Sequence, residues 1–410
     1  MASAGSFASI IKKRQKDWDC PELMSRATAD TGKKLPFSSP LLNWCTYGGI
    51  PRDAYTEFFG APGGGKSTTS VDICKNAIAT FRAEYQQQLE EYRKLVDSGK
   101  KEYQGPYEDL QDRGPQKVLY VDLENSFDIK WASTLGISKS DIVDDDSVLN
   151  IMSVPNVAAE EVLQTVMDVM ETGEVGLVIL DSIPSLVPRQ ELEKQMGERT
   201  VASLAGCLTV FFRKVIPLLK RYHCTLLAIN QIRDNMDNPY VTKTPGGNAP
   251  KFYASMRMEF RIGKPVDAFG NELPMNTEDP AGYLVNAKLV KQKTAPSDRR
   301  MGTYYLMFDG GIRPDFDYAK LAVNKYQFIR KTGGWFTMCN PYTGEILETE
   351  SGAPVKVHGM PRVYQYLKEN EQYYASIRKY ITEDLNGEDH VAEQVVESDD
   401  ELEDYTSTAV

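Results

Sequence analysis

The stretch Gly60-Ala-Pro-Gly-Gly-Gly-Lys-Ser67 satisfies G-x-x-x-x-G-K-[ST] at every fixed position, and its flanks restrict what the chain can fold into. Ala54-Tyr-Thr-Glu-Phe-Phe59 ahead of it reads as a short apolar strand. Thr68 to Thr80 behind it has helical spacing through Val71, Ile73, Ala77 and Ile78. Strand, glycine turn and helix in that order make a phosphate-binding unit. The glycines let backbone N–H groups turn inward and the helix N-terminus adds partial positive charge. Gly60, Gly63, Gly64, Gly65 and Thr68 frame the loop, Lys66 reaches the β- and γ-phosphates, and the Ser67 hydroxyl takes a place on Mg²⁺. A surface glycine loop would leave the strand and helix unexplained.

With 410 residues there is room for one large α/β core and smaller appendages. Six cysteines, at 20, 45, 74, 207, 224 and 339, form no C-x-x-C pair, which points to reduced thiols rather than a disulfide framework or a zinc cluster. Lys12-Lys-Arg14 interrupts the first apolar residues, and no apolar run approaches the ~18 residues of a membrane span, so a soluble, cytoplasmic protein without a membrane partner is expected. The net charge of −11 is local, because Glu383 to Asp404 hold eleven carboxylates and no Lys or Arg. The body is therefore neutral on balance and free to carry basic patches. The acidic run reads as a solvating disordered tail or as a competitor for DNA at those patches.

Residues 1–35 read as an N-terminal arm with a basic amphipathic piece at Phe7 to Lys16, either packed on a neighbouring subunit or frayed. Phe81 to Arg113 is charged, lengthens the first helix to a loop at Ser98-Gly99, and favours a solvated projection. Lys117-Val-Leu-Tyr-Val-Asp-Leu-Glu124 is a second buried strand, followed by a helix from about Ile129 to Leu135. Its closing carboxylates, Asp122 or Glu124, can reach a water beside a γ-phosphate. Gly176-Leu-Val-Ile-Leu-Asp-Ser182 is a third strand of Walker B type, with Asp181 placed to hold Mg²⁺. The charged segment Arg189 to Arg199 precedes a helix over Val201 to Lys220. His223 to Gln231 is a fourth strand, whose terminal amides can sense a phosphate.

GAPGGGKST, YVDLENSFD, LVILDSI, AINQIR followed by TPGGNAPKFYASMR, and KLVKQK occur in the order and spacing of RecA-type recombinases. The resemblance covers about residues 35–335, and the GGNA-KFYAS stretch is specific to that family. Size and divergence make the chain similar to the bacteriophage UvsX group. What the resemblance implies is a RecA-fold α/β P-loop ATPase core at 36–314 with a mostly parallel sheet flanked by helices. A small C-terminal α+β domain at 315–382 would collect duplex DNA, followed by the acidic tail at 383–410. ATP and Mg²⁺ are the implied cofactors; single-stranded DNA, double-stranded DNA and further copies of the chain in a helical filament are the implied partners, with an ssDNA-binding protein and a loading mediator beside them.

Carried over by position, Glu124 matches the catalytic glutamate, Asp181 the Walker B acid, and Gln231 the glutamine that senses the γ-phosphate. Asp128 and Trp131 match the acid and aromatic against the adenine. Lys291 and Lys293 share one face of a strand and match paired lysines that reach a neighbour's γ-phosphate in trans. Residues 194–203 and 233–248 match the DNA-binding loops L1 and L2. Arg199, Arg213, Arg233, Lys243, Gly246, Gly247 and Asn248 are the implied backbone contacts, and Val201 and Met236 the implied apolar wedges. The chain departs from bacterial members at Asp234 and Asp237, at Gly206, where an arginine is expected, and at Pro62, Gly63 and Gly64, where an acid and serines are expected. A ring-forming RecA-fold motor or helicase, or a non-catalytic ssDNA-binding mediator, are the rival expectations; the first leaves GGNA-KFYAS and the paired lysines unexplained, and Glu124 speaks against the second.

Overall fold

A computed structural model describes residues 7–17, 33–143, 147–194, 203–233 and 243–386. The chain divides into two compact units, one ending at Tyr318 and the next beginning at Ala319.

The first unit is built on nine strands: β1 Tyr55–Gly60, β2 Lys117–Asp122, β3 Leu149–Ser153, β4 Val175–Asp181, β5 Thr225–Gln231, β6 Met256–Val266, β7 Gly282–Gln292, β8 Met301–Met307 and β9 Gly311–Ile312. Their spatial order is β9-β8-β7-β6-β1-β5-β4-β2-β3. The six strands from β6 to β3 pair in parallel, and β7, β8 and β9 continue the sheet antiparallel. This is the expected α/β architecture, a large mostly parallel sheet flanked by helices.

The central strands are apolar at nearly every position because both faces are covered. Period-two alternation divides them between two cores. Phe58, Tyr120, Leu177, Ile179 and Leu227 face the helix that follows the glycine loop, packing with Ile73, Ala77 and Phe81. Val121, Val178, Leu180, Leu226 and Ala228 face the opposite layer, with Val166, Met170, Phe212 and Val215. The same alternation carries on from Leu177 and Ile179 to put Asp181 on the side of the glycine loop.

The helix after the loop runs unbroken over Lys66–Asp97. Its first half is buried as far as Phe81. Its root is held by Arg52, which pairs with Glu84 at 2.6 Å and stacks over Phe81, and by the ion pair of Arg82 with Asp141. The second half is largely exposed and doubles back past Ser98 into the Gln104–Arg113 helix, with Tyr92 against Tyr103 and Leu110 buried.

Three elements differ from expectation. β3 adds an edge strand that polar residues in LNIMS disguise. Tyr304-Tyr-Leu-Met-Phe-Asp-Gly-Gly311 reads in sequence as one strand but forms two, because the chain turns at Phe308–Gly310 between β8 and β9. Tyr318 to Ile329 has apolar helical spacing in sequence, but the helix spans Pro314–Asn324; Gln327 then takes a left-handed φ of 60°, and Ile329 opens a strand. No helix among the described residues is long and apolar enough to cross a membrane.

In the second unit a three-stranded antiparallel sheet, β10 Ile329–Thr332, β11 Trp335–Met338 and β12 Lys356–His358, accompanies helices Met360–Glu369 and Glu371–Asn386.

Candidate functional site

Strand register brings the site residues to one end of the sheet. Gly60, the last residue of β1, lies between Gln231 of β5 and Phe260 of β6, and Asp122 pairs with Asp181 across β2 and β4. Gly60 has no substitute here: at φ 155° a Cβ would come within 2.2 Å of the Phe260 carbonyl oxygen. Gly65 starts the long helix in left-handed conformation and offers no side-chain cap, so the first N–H groups stay open toward the loop. That is the cradle of an anion site, and the long helix adds its dipole to it.

Lys66 is buried and donates from Nζ to the Ala61 carbonyl at 2.7 Å, curling back over its own loop. Burial lowers its pKa, while the charges of Asp181 and Glu124 act in the opposite direction. Ser67 is exposed and hydrogen-bonds Asp181. Asp181 is itself buried and accepts from Tyr120 Oη at 2.7 Å. Burial raises its pKa; the bonds from Tyr120 and Ser67 oppose that rise, and Glu124 and Asp122 add to it. A hydroxyl and a carboxylate in contact, beside a lysine and an open helix N-terminus, make a donor set that fits a nucleotide phosphate with a hard divalent cation.

The two candidate acids at the end of β2 separate by their partners. Asp122 is buried and accepts the backbone N–H groups of Ser126 and Phe127, at 3.2 and 2.8 Å, so it shapes the following turn. Glu124 is exposed and accepts from Ser182 Oγ at 2.5 Å, Ser185 Oγ at 3.4 Å and Gln231 Nε2 at 3.3 Å. Glu124 and Gln231, far apart in sequence, are thus in contact. Asp128 caps the Ile129–Thr134 helix through the N–H groups of Lys130 and Trp131, and Trp131 packs partly buried against the core.

With this geometry in place, residues 108–313 match the model of the RecA N-terminal domain. The chain belongs to the RecA family. It is 27% identical over 339 residues to Protein RecA of Thermus aquaticus, covering 82% of this chain and 80% of that protein. Protein RecA of Bdellovibrio bacteriovorus is 27% identical over 366 residues, covering 85% and 79%. Protein RecA of Rickettsia prowazekii is 27% identical over 339 residues, covering 82% and 80%.

Two further groups lie level with Glu57 on β1, short of its Gly60 end. Lys291, on β7, donates from Nζ to the carbonyls of Lys251 and Phe252 at 2.6 and 2.9 Å, and Lys293, just past the strand, reaches the Phe252 carbonyl at 3.3 Å. The two lysines do share a side. Burial, then Lys293 and Arg257, lower the Lys291 pKa to about 8. Arg257 forms a buried ion pair with Glu57 and stacks over Phe59. Asn230 Nδ2 donates to Glu57 at 2.9 Å and to the Pro245 carbonyl at 3.2 Å. Glu57, Arg257 and Asn230 thereby tie the end of L2 to β1, the strand that feeds the loop.

At the base of L2, Arg233 and Lys243 exchange backbone hydrogen bonds of 2.8 and 3.0 Å, with both residues exposed. Gly246 and Gly247 take left-handed φ values of 87° and 76° and press close to Leu208 and Ala205, and exposed Asn248 precedes the Ala249–Tyr253 helix. Arg213 is exposed on the Ser203–Arg221 helix, ~15 Å by helical rise from its start. Arg199, Val201 and Met236 lie outside the described residues.

Sequence reasoning missed Tyr120, Ser182, Ser185 and the Glu57–Arg257 pair. Ser182 and Arg257 carried a signal, the first following the Walker B acid and the second closing KFYASMR; Tyr120 and Glu57 looked like ordinary strand residues.

Proposed function

We propose that this chain is a DNA-dependent ATPase that assembles as a helical filament on single-stranded DNA and carries out homologous pairing and strand exchange, as a bacteriophage member similar to the UvsX group acting in the host cytoplasm. The observation that carries the reading is the contact of Glu124 with Gln231 beside the glycine loop. It joins a base to an amide whose strand leads directly into L2, which is the arrangement a DNA-responsive hydrolase needs. Family membership supports the same reading.

Lys66 and the loop N–H groups bind the phosphates of ATP, and Ser67 with Asp181 holds Mg²⁺. Bound Mg²⁺ supplies charge neutralisation at the phosphate oxygens. Glu124 orients the attacking water and takes its proton at a carboxylate oxygen, while Ser182 fixes the carboxylate's direction. Gln231 leaves Glu124 for the γ-phosphate, and the pull passes from the end of β5 to Arg233 and the base of L2. Asp128 and Trp131 bound the adenine. Lys291 and Lys293 serve the nucleotide of a neighbouring protomer, and Arg199, Arg213, Arg233, Lys243, Gly246, Gly247 and Asn248 hold the DNA backbone, with Val201 and Met236 between bases.

ATP turnover with and without single-stranded DNA, followed by joint-molecule formation between homologous strands, tests the reading. Turnover that rises with DNA, together with joint molecules, is expected; DNA-independent turnover or duplex unwinding overturns it.

A further inference from the structure

The β10–β12 sheet of the second unit has one face in the core and one turned outward. Ile329, Phe336 and Met338 are buried on the inner face. Pairing of Arg330 with Thr337 and Thr337 with Lys356 makes one outward rung; pairing of Thr332 with Trp335 and Trp335 with His358 makes the next. Trp335 remains 53% exposed, although strand neighbours on the other face are fully packed. Its ring meets the His358 ring edge-to-face at a centroid distance of 5.2 Å. Gly334 makes that close approach possible, because a Cβ there would lie 2.6 Å from His358 Nε2.

The rung beside this aromatic pair is basic at both ends. Arg330 and Lys356 are exposed, with small Thr337 as the floor between them, and Arg330 is steadied by a 2.9 Å bond to the Gly344 carbonyl. The three strands carry Arg330, Lys331, Lys356 and His358 and no carboxylate. Glu345, Glu348 and Glu350 fall on the connection between β11 and β12. Residues two apart on a strand are separated by ~7 Å, so an aromatic surface and a pair of cations stand about one nucleotide's base-to-phosphate reach apart.

From this arrangement we propose that the outward face of the β10–β12 sheet binds unpaired nucleotides, stacking a base on Trp335 and holding the adjoining phosphates with Arg330 and Lys356. Stacking on an exposed ring needs a free base face, which a single strand offers and the interior of a duplex does not. The residues of this face all belong to the second unit, and the proposal does not rest on the ATPase reading.

The test uses the full chain carrying Lys66→Ala, without nucleotide, and oligothymidylate or oligouridylate of about twelve nucleotides, within the usual range of strand-tracking sites. Trp335→Ala should weaken binding of either oligomer about tenfold, the loss typical of one stacked base, and leave a duplex of equal length within about twofold. The emission difference between the Trp335-containing protein and its Trp335→Phe variant, which retains a ring for folding, should be quenched by the single strand. Unchanged single-strand affinity with no quenching overturns the proposal, and so does an equal loss for single strand and duplex. Activity at the nucleotide site plays no part in either readout.

Discussion

Lys66 and Lys291 do similar things with different surroundings. Both turn their ammonium groups onto backbone carbonyls, and burial lowers the pKa of both. Lys66 lies in a field set by Asp181 and Glu124, which favours its charge. Lys291 lies beside Lys293 and Arg257, which disfavour it, with Glu57 opposing them. Anions beside a buried lysine offset part of what burial costs its charge; a lysine among cations gains most from an anion that arrives from elsewhere. The contrast supports a nucleotide held in cis by Lys66 and reached in trans by Lys291.

The largest effect should come from Lys66→Ala, which removes the cis cation and should lower ATP turnover by more than about a hundredfold in a steady-state phosphate-release assay. Lys291→Ala should lose DNA-dependent turnover as well, but an equal mixture with Lys66→Ala subunits should recover about a quarter of wild-type turnover, since that share of head-to-tail junctions pairs the two intact lysines. No recovery at any mixing ratio breaks the comparison.

The two lysines should also differ in their pH limits. Lys291 is charged below a pKa of about 8 and loses its proton above it, so turnover should fall as pH rises through that value. Lys291→Arg keeps its charge throughout this range, and its pH profile should lack the fall. The smallest expected change is that of Tyr120→Phe. It removes a donor to buried Asp181, whose pKa is already raised by burial, so the acid-side loss of turnover should begin at higher pH and the Mg²⁺ requirement should increase about fivefold. Titrating turnover against Mg²⁺ at several pH values checks both.

The glycine loop was legible because four fixed positions answer to one ligand and leave little else that the segment can be. β2, β4 and β5 were legible because burial on both faces demands long apolar runs. β3, at the sheet edge, has only one fully buried position, Leu149, and its sequence carries little of that signal. Partnerships were the least readable layer. Glu124 alone could not be separated from Asp122 by residue type; what separates them is Ser182, just past β4, and Gln231, at the end of β5. Likewise Glu57, Asn230 and Arg257 look unrelated along the chain, and only the sheet order β6-β1-β5 makes them neighbours. In the second unit the same limit hid Trp335, which follows Gly333-Gly334 in a stretch that reads as a turn and which the register places on an outward rung.

The unbroken Lys66–Asp97 helix turns the phosphate loop into one end of a lever. Beyond Arg82, where the ion pair with Asp141 holds it, the helix continues for ~23 Å, so a tilt of about 5° would displace the far end by ~2 Å. A probe attached at Ser98 would therefore report adjustments around the phosphates as movements large enough for distance spectroscopy, from a position well away from the chemistry itself.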